Sequence, residues 1–264
     1  MKPQALILQA HGTNRDYDVA EALTLAGADP HPVPLNDLRA GKKRFADYQM
    51  LVVAGGFSYA DSLGAGKLLA LDLNSYFNQE ISAFVESGKP VIGICNGFQA
   101  LVKSGILPGE KKEERRKNEA SATLTFNAEG HFECRWVNLA PVSQTCIWTK
   151  DLEDTIFCPI AHGEGNFQSS NTAFVNTLTA QDQIALTYIY PDGTPANGDY
   201  PINPNGSMLD IAGICNPQGN VLGLMPHPEN HIHPHQHPQW TRGVKGNSGL
   251  VLFENGVKYA SQLR

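Results

Sequence analysis

The chain has 264 residues, 41% of them hydrophobic and 17% charged, the proportions of a globular protein able to bury a large core without metal or disulfides. Its net charge of −6 excludes a nucleic-acid binder that works by covering phosphates with basic side chains. The N-terminus MKPQALILQAHG lacks a signal peptide's apolar run, and no stretch approaches the about 20 apolar residues of a membrane span. The five cysteines form no C-x-x-C pair, so a reducing cytosol is the expected compartment.

In chain order, residues 5–10, 50–54 and 90–95 read as buried strands rich in apolar and β-branched residues. Helical patterns separate them. Residues 16–26 form one and stop at Gly27. Residues 63–73 and 81–86 form a second region that stops at Gly88. Residues 98–103 begin a third that stops at Gly105, with Pro108 beyond. Strands alternating with helices imply a parallel sheet covered on both faces. The charged run at 109–120 reads as a solvated loop or frayed helix, with a partner-docking surface as the alternative. In the second half, 132–139, 156–160, 184–190 and 211–215 read as strands, and another starts at Asn220 and ends at Pro226. Residues 191–207, dense in Pro, Gly, Asn and Asp, form a long ordered loop. Residues 247–260 are the candidate final helix. No internal repeat or linker is visible, so residues 1–264 read as a single domain.

The sharpest local signal is Gly93-Ile94-Cys95-Asn96-Gly97. A strand ends at the cysteine, a glycine stands two residues to either side, and a helix follows. This is the G-x-nucleophile-x-G turn of serine hydrolases with Cys in place of Ser. The glycines keep side chains off neighbouring backbone, the turn lifts the sulfur above the sheet edge, and the helix N-terminus beneath it favours negative charge. Cys134, Cys146, Cys158 and Cys215 lack such brackets and read as small core residues.

Pro226-His227-Pro228-Glu229 follows a strand. The prolines oppose a helix, and in an extended chain residues two apart face the same side, so Glu229 can orient the ring of His227 as base and orienter do in nucleophilic triads. Gly55-Gly56-Phe57 ends a strand, and its bare backbone, with the N–H of Asn96, suits an oxyanion hole. His162-Gly163-Glu164-Gly165 follows another strand and allows backbone to approach a ligand, while Gln99 lies one turn into the helix after Cys95. Gly64-Ala65-Gly66-Lys67 lacks the spacing and the Ser/Thr of a phosphate loop and is set aside. His231, His233, His235 and His237 alternate with prolines. Zinc or nickel binding is one reading, and a proline-stiffened loop beside the site is the favoured one, so no metal site is expected.

With these residues in place, the chain resembles the class I (triad) glutamine amidotransferases. More narrowly it is similar to the glutaminase subunits of phosphoribosylformylglycinamidine synthase. The resemblance is carried by Ala54-Gly55-Gly56-Phe57-Ser58-Tyr59, Gly93 to Gln99, Phe132 to Val137, His162-Gly163-Glu164-Gly165, Asn203-Pro204-Asn205-Gly206-Ser207 and Met225 to Glu229. It implies a flavodoxin-like, mostly parallel sheet with helices on both faces and extra antiparallel strands in the second half. It implies Cys95, His227 and Glu229 as the catalytic triad and a γ-glutamyl thioester on the cysteine. It implies Gly56 and Asn96 at the oxyanion hole, and Gln99, His162, Gly163 and Glu164 against L-glutamine. It further implies a synthetase subunit that uses ATP and magnesium, and a small bridging subunit, with no cofactor held by this chain. The function implied is ammonia supply for the formylglycinamide ribonucleotide step of purine synthesis.

Three positions depart from the family pattern. Asn230 and Asn166 stand where Arg is expected, and Arg15 where Cys is frequent. They spare the triad and bear on subunit docking and ammonia hand-over. The rival readings are a same-fold γ-glutamyl hydrolase or peptidase-like enzyme, and a catalytically silent glutamine-binding scaffold.

Overall fold

The computed structural model describes residues 2–109, 122–244 and 248–263. The charged run, apart from Gly109, lies outside the described residues, as does Asn247 at the start of the expected last helix. The apolar runs of the first hundred residues form β1 (Gln4–Gln9), β3 (Met50–Val53) and β4 (Val91–Ile94), the latter two buried along their whole length. An edge strand, β2 (Asp29–Pro34), joins them, although its sequence DPHPVP reads as a loop. It pairs parallel to β1, and the Asp29 N–H donates to the Pro3 carbonyl at 2.9 Å. Its prolines occupy the alternate positions, whose amides point away from β1, so at an edge they remove no ladder bond.

Nine strands make one sheet in the order β2-β1-β3-β4-β11-β10-β9-β6-β7. From β2 to β11 (Val221–Leu224) the pairs are parallel. β10 (Ile211–Cys215), β9 (Ile184–Ile189), β6 (Glu133–Pro141) and β7 (Ile156–His162) continue antiparallel. The parallel half has the flavodoxin-like winding: the chain runs outward from β1 to β2, then returns to β3 and β4, so right-handed crossovers place successive helices on opposite faces. α1 (Asp16–Leu25) packs with the last helix, and α3 (Lys67–Tyr76) packs with α5 (Asn96–Ser104). Between them lie α2 (Leu35–Arg39) and α4 (Asn78–Glu86). Short strands β5 (Thr123–Thr125) and β8 (Asn166–Gln168) form a separate pair, α6 (Thr172–Ala180) precedes β9, and α7 (Leu250–Gln262) closes the chain.

The expected helix from residue 63 begins only at Lys67. Tyr59, Ala60, Asp61 and Leu63 hold positive φ of 55°, 55°, 51° and 68°, which a helix cannot contain. Residues 191–207 carry no helix or strand, as the turn-rich composition predicts. Cys134 is exposed, unlike the other cysteines, because Glu133 takes the inward place on β6, where His131, Arg135 and Tyr200 surround its carboxylate. Among the described residues, no helix is long and apolar enough to cross a membrane.

Candidate active site

The C-terminal edge of the parallel strands collects the candidate residues. Cys95 stands between β4 and α5 at φ 51°, ψ −107°, and its N–H donates to the Leu224 carbonyl at 2.8 Å. A non-glycine residue in this region stores about 1–3 kcal/mol of strain that the surroundings must hold. The surroundings are tight. A Cβ on Gly97 would lie 1.8 Å from the Val53 carbonyl oxygen, and one on Gly93 would lie 2.4 Å from Leu101 Cδ1. Only glycines at both places let α5 descend onto β3 and β4 so that the elbow can form.

His227 arrives from the end of β11. A Cβ on Gly55 would lie 2.9 Å from His227 Cε1 and 3.5 Å from Cys95 Cβ, so ring and thiol flank the same bare backbone. The His227 main-chain N–H donates to the Pro159 carbonyl at 2.8 Å, and the Cys95 thiol donates to the Ala161 carbonyl at 3.8 Å. Both carbonyls belong to β7, last in the sheet order, so the antiparallel half curls back over the edge of the parallel half.

Glu229 is fully buried, and its Oε1 accepts from His227 Nδ1 at 2.7 Å. The segment between them is a 3₁₀ turn, Pro228–Asn230, rather than the extended chain expected from its prolines. Pro228 opens this turn, where its fixed φ fits and its missing N–H costs nothing. The pair meets nonetheless. Burial works against a charged His227, but the Glu229 carboxylate and the Cys95 sulfur beside it prevail and raise its pKa to about 10.

Asn96 is the first residue of α5, so its N–H has no acceptor within the helix. Gly56 has φ 129°, and a Cβ there would lie 2.7 Å from Asn14 Oδ1. Gly56, Cys95, Gln99, His162, Gly163 and Glu164 line one cavity of about 180 Å³. Gly56 and the four expected glutamine-contact residues are therefore brought together around the thiol, while Asn96, next to Cys95 in the chain, is not among the lining residues. A larger cavity of about 570 Å³ opens at the opposite end of the sheet over Phe45, Phe77 and Phe84, and neither cysteine nor histidine lines it.

Two of the expected substrate contacts have their polar groups engaged. Gln99 Nε2 donates to the Glu164 carbonyl at 2.7 Å and Oε1 accepts from Asn96 Nδ2 at 3.2 Å. The Glu164 carboxylate accepts from the Ala65 N–H at 3.2 and 3.3 Å and pairs with Lys103 at 3.4 Å. His162 is held by Asn127. The Asn127 amide nitrogen donates to the His131 and His162 carbonyls, at 2.9 and 2.8 Å, and its oxygen accepts from the Gly165 N–H at 3.0 Å. That oxygen also faces His162 Nδ1 at 3.2 Å, so Nδ1 carries the hydrogen and the buried Nε2 is a bare acceptor with no partner among the described residues. Burial first, and the His227 charge second, lower the His162 pKa to about 3.

Sequence reasoning missed Asn127, Asp61, Ser58 and the β7 carbonyls. Asp61 lines the cavity, and Ser58 holds the Asn96 side chain through its N–H and hydroxyl. No local motif marks Asn127. Ser58 and Asp61 lie just beyond the Gly-Gly-Phe signal that pointed to the site. The histidines at 231–237 divide between packing and surface. His231 and His237 pack against Trp136 and Phe157, while His233 stacks on His235 and pairs with Glu21 at 2.8 Å. Among the described residues, no cluster of His, Cys, Asp and Glu suits a metal ion. Two of the three departures meet: Arg15 and Asn230 both donate to Asp18 Oδ2, at 3.0 and 2.9 Å. Asn166 instead accepts from Gln168 Nε2 at 2.7 Å.

Residues 2–260 match the family described as CobB/CobQ-like glutamine amidotransferase domain. The chain is 54% identical to phosphoribosylformylglycinamidine synthase subunit PurQ of Treponema denticola, over 98% of this chain and 99% of that one. It is 43% identical to the subunit of the same name from Dehalococcoides mccartyi, over 99% of each. Among solved structures, PurLQS from Thermotoga maritima contains a chain similar at TM-score 0.74 and 31% identity, covering 98% of this chain and 99% of that one.

Proposed function

The chain belongs to the CobB/CobQ-like glutamine amidotransferase family, and from that premise we propose how its site serves the reaction. It is the glutaminase subunit of phosphoribosylformylglycinamidine synthase, an ATP-dependent ligase of purine biosynthesis, and it works in complex with a synthetase subunit. Its substrate is L-glutamine, which it hydrolyses to glutamate and ammonia.

The proposed chemistry starts from the row formed by Cys95, His227 and Glu229. The Cys95 thiolate attacks the carboxamide carbon, and the N–H groups of Gly56 and Asn96 meet the developing oxyanion. The carbon–nitrogen bond breaks as His227 gives its proton to the departing nitrogen, leaving ammonia and a γ-glutamyl thioester. His227, now neutral, takes a proton from water as the water attacks the thioester. Glutamate leaves and the thiolate is restored. Glu229 keeps Nδ1 protonated throughout, so the nitrogen facing the sulfur does the exchange. Gln99, Gly163, Glu164 and His162 shape the glutamine pocket. ATP and magnesium act on the synthetase, and a small third subunit bridges the two.

The observation that carries this reading is the 2.7 Å contact of His227 with a fully buried Glu229 beside the Cys95 elbow. The test is glutamate release with and without the synthetase, its nucleotide and formylglycinamide ribonucleotide. The expected result is release that rises on assembly and vanishes in Cys95→Ala. Full release by Cys95→Ala in the complex overturns the scheme.

A further inference from the structure

One carboxylate in the cavity forms no ion pair among the described residues. The loop after Gly56 carries Tyr59, Ala60, Asp61 and Leu63 in left-handed conformations, an arrangement that has to be held in place. It is held: the Tyr59 N–H donates to the His11 carbonyl at 2.6 Å, and Asn96 Nδ2 donates to Asp61 Oδ1 at 2.8 Å. The result is an Asp61 carboxylate lining the same cavity as Cys95 and Glu164. The two acids are not equivalent there. Glu164 is neutralised by Lys103 and by the Ala65 N–H. Asp61 is half-buried, accepts only from amide groups, and forms no ion pair among the described residues. Burial, with the Glu164 charge nearby, raises its pKa, although the Asn96 amide, the Gly66 N–H and the more distant Lys103 charge act the other way.

Glutamine brings that charge. Only three carbon–carbon bonds separate its carboxamide carbon from its α carbon, so when the former sits at Cys95 the α-ammonium lies within the same small cavity. We propose that the Asp61 carboxylate receives the α-ammonium of glutamine, which makes Asp61 the residue that selects an α-amino acid amide over a plain amide. The inference rests on the reading of this site as a glutaminase. The ammonium donates to the carboxylate oxygen and Asn96 keeps its own bond to Oδ1, so binding replaces water by a charge-assisted pair without rearranging the loop.

The test pairs a change in the enzyme with a change in the substrate. Asp61→Asn keeps the acceptor for Asn96 and suits a positive φ, and 4-carbamoylbutanoate is glutamine without its α-amino group. In the assembled complex, kcat/KM is measured for both amides with wild type and variant. The expected result is a fall of about tenfold to a hundredfold for glutamine, mostly in KM, and little change for 4-carbamoylbutanoate. Asp61→Gly, equally at ease at this φ, gives the same collapse of the preference and serves if the Asn variant misfolds. An equal fall for both amides assigns Asp61 a purely structural role and overturns this inference alone. A wild-type complex that releases no glutamate overturns the glutaminase reading as well.

Discussion

Acid lability is predicted to originate at His162. Its Nδ1 hydrogen is committed to Asn127, so a second proton could enter only at Nε2, which is buried without an acceptor and stands beside the His227 charge. The folded-state pKa is about 3, below the unfolded value of about 6.5. A histidine with a lowered folded pKa contributes stability that is present above the unfolded pKa and lost as pH falls from there toward 3. At pH 5 the unfolded chain has taken up this proton and the folded one has not, which costs about 2 kcal/mol relative to pH 7. The side chain is almost wholly buried, so solvent screening does not reduce this figure. His227 opposes this in part: with a folded pKa of about 10 it stays protonated while the unfolded ring, at about 6.5, takes up its proton, so as pH falls from 7 to 5 it adds under about 1 kcal/mol of stability, in wild type and variant alike. Urea unfolding of wild type and His162→Gln, followed by far-ultraviolet circular dichroism at pH 7, 6 and 5, tests the reasoning. The wild type is expected to lose about 2 kcal/mol more than the variant on going to pH 5. Parallel losses would refute the argument, because the proton would then be binding elsewhere.

Glu229→Gln is expected to lower kcat/KM for glutamine by about a hundredfold to ten-thousandfold, since the amide no longer fixes the Nδ1 hydrogen. It also removes the Glu229 charge, the strongest of the influences that raise the His227 pKa, so the alkaline limb of the pH–rate profile moves to lower pH. An electrophilic glutamine analogue is expected to label Cys95 in wild type and not in Cys95→Ser, read by peptide mass spectrometry; an unlabelled, folded wild type would point to a silent glutamine-binding scaffold. Gly97→Ala forces a methyl to within 1.8 Å of the Val53 carbonyl oxygen, with backbone on both sides unable to yield. The expected cost is at least about 3 kcal/mol in chemical denaturation, and a loss under about 1 kcal/mol would show that the elbow is not so tightly packed.

What could be read from the sequence followed from locality. β1, β3, β4 and the elbow are contiguous apolar runs ended by glycine, and each signal lies within a few residues. β2 was invisible because its three prolines argue against a strand until one knows that it lies at an edge. α6, with the sequence TAFVNTLTA, has poor helical propensity, and its start depends on Asn171, whose side chain accepts from the Phe174 N–H. The late start of α3 came from the left-handed residues at 59–63, which no periodicity reports. At the site, the elbow and His227 with Glu229 are local signals, whereas the grip of Asn127 on His162, 35 residues away, belongs to the tertiary fold.

The site holds two buried histidines that the protein drives in opposite directions, and the contrast supports the proposed proton chemistry. His227 has the Glu229 carboxylate on one side and the Cys95 sulfur on the other, and its pKa rises to about 10. His162 has only a neutral amide at Nδ1 and nothing at Nε2, and its pKa falls to about 3. At neutral pH one ring is an imidazolium and the other a neutral acceptor. Two adjacent imidazolium ions would repel each other in a medium that screens poorly. Keeping His162 uncharged therefore helps keep the single proton on His227. In the proposed mechanism that proton is the one the departing ammonia needs; the Lys103 ammonium is instead paired with Glu164, and the Gln99 amide is held at both ends.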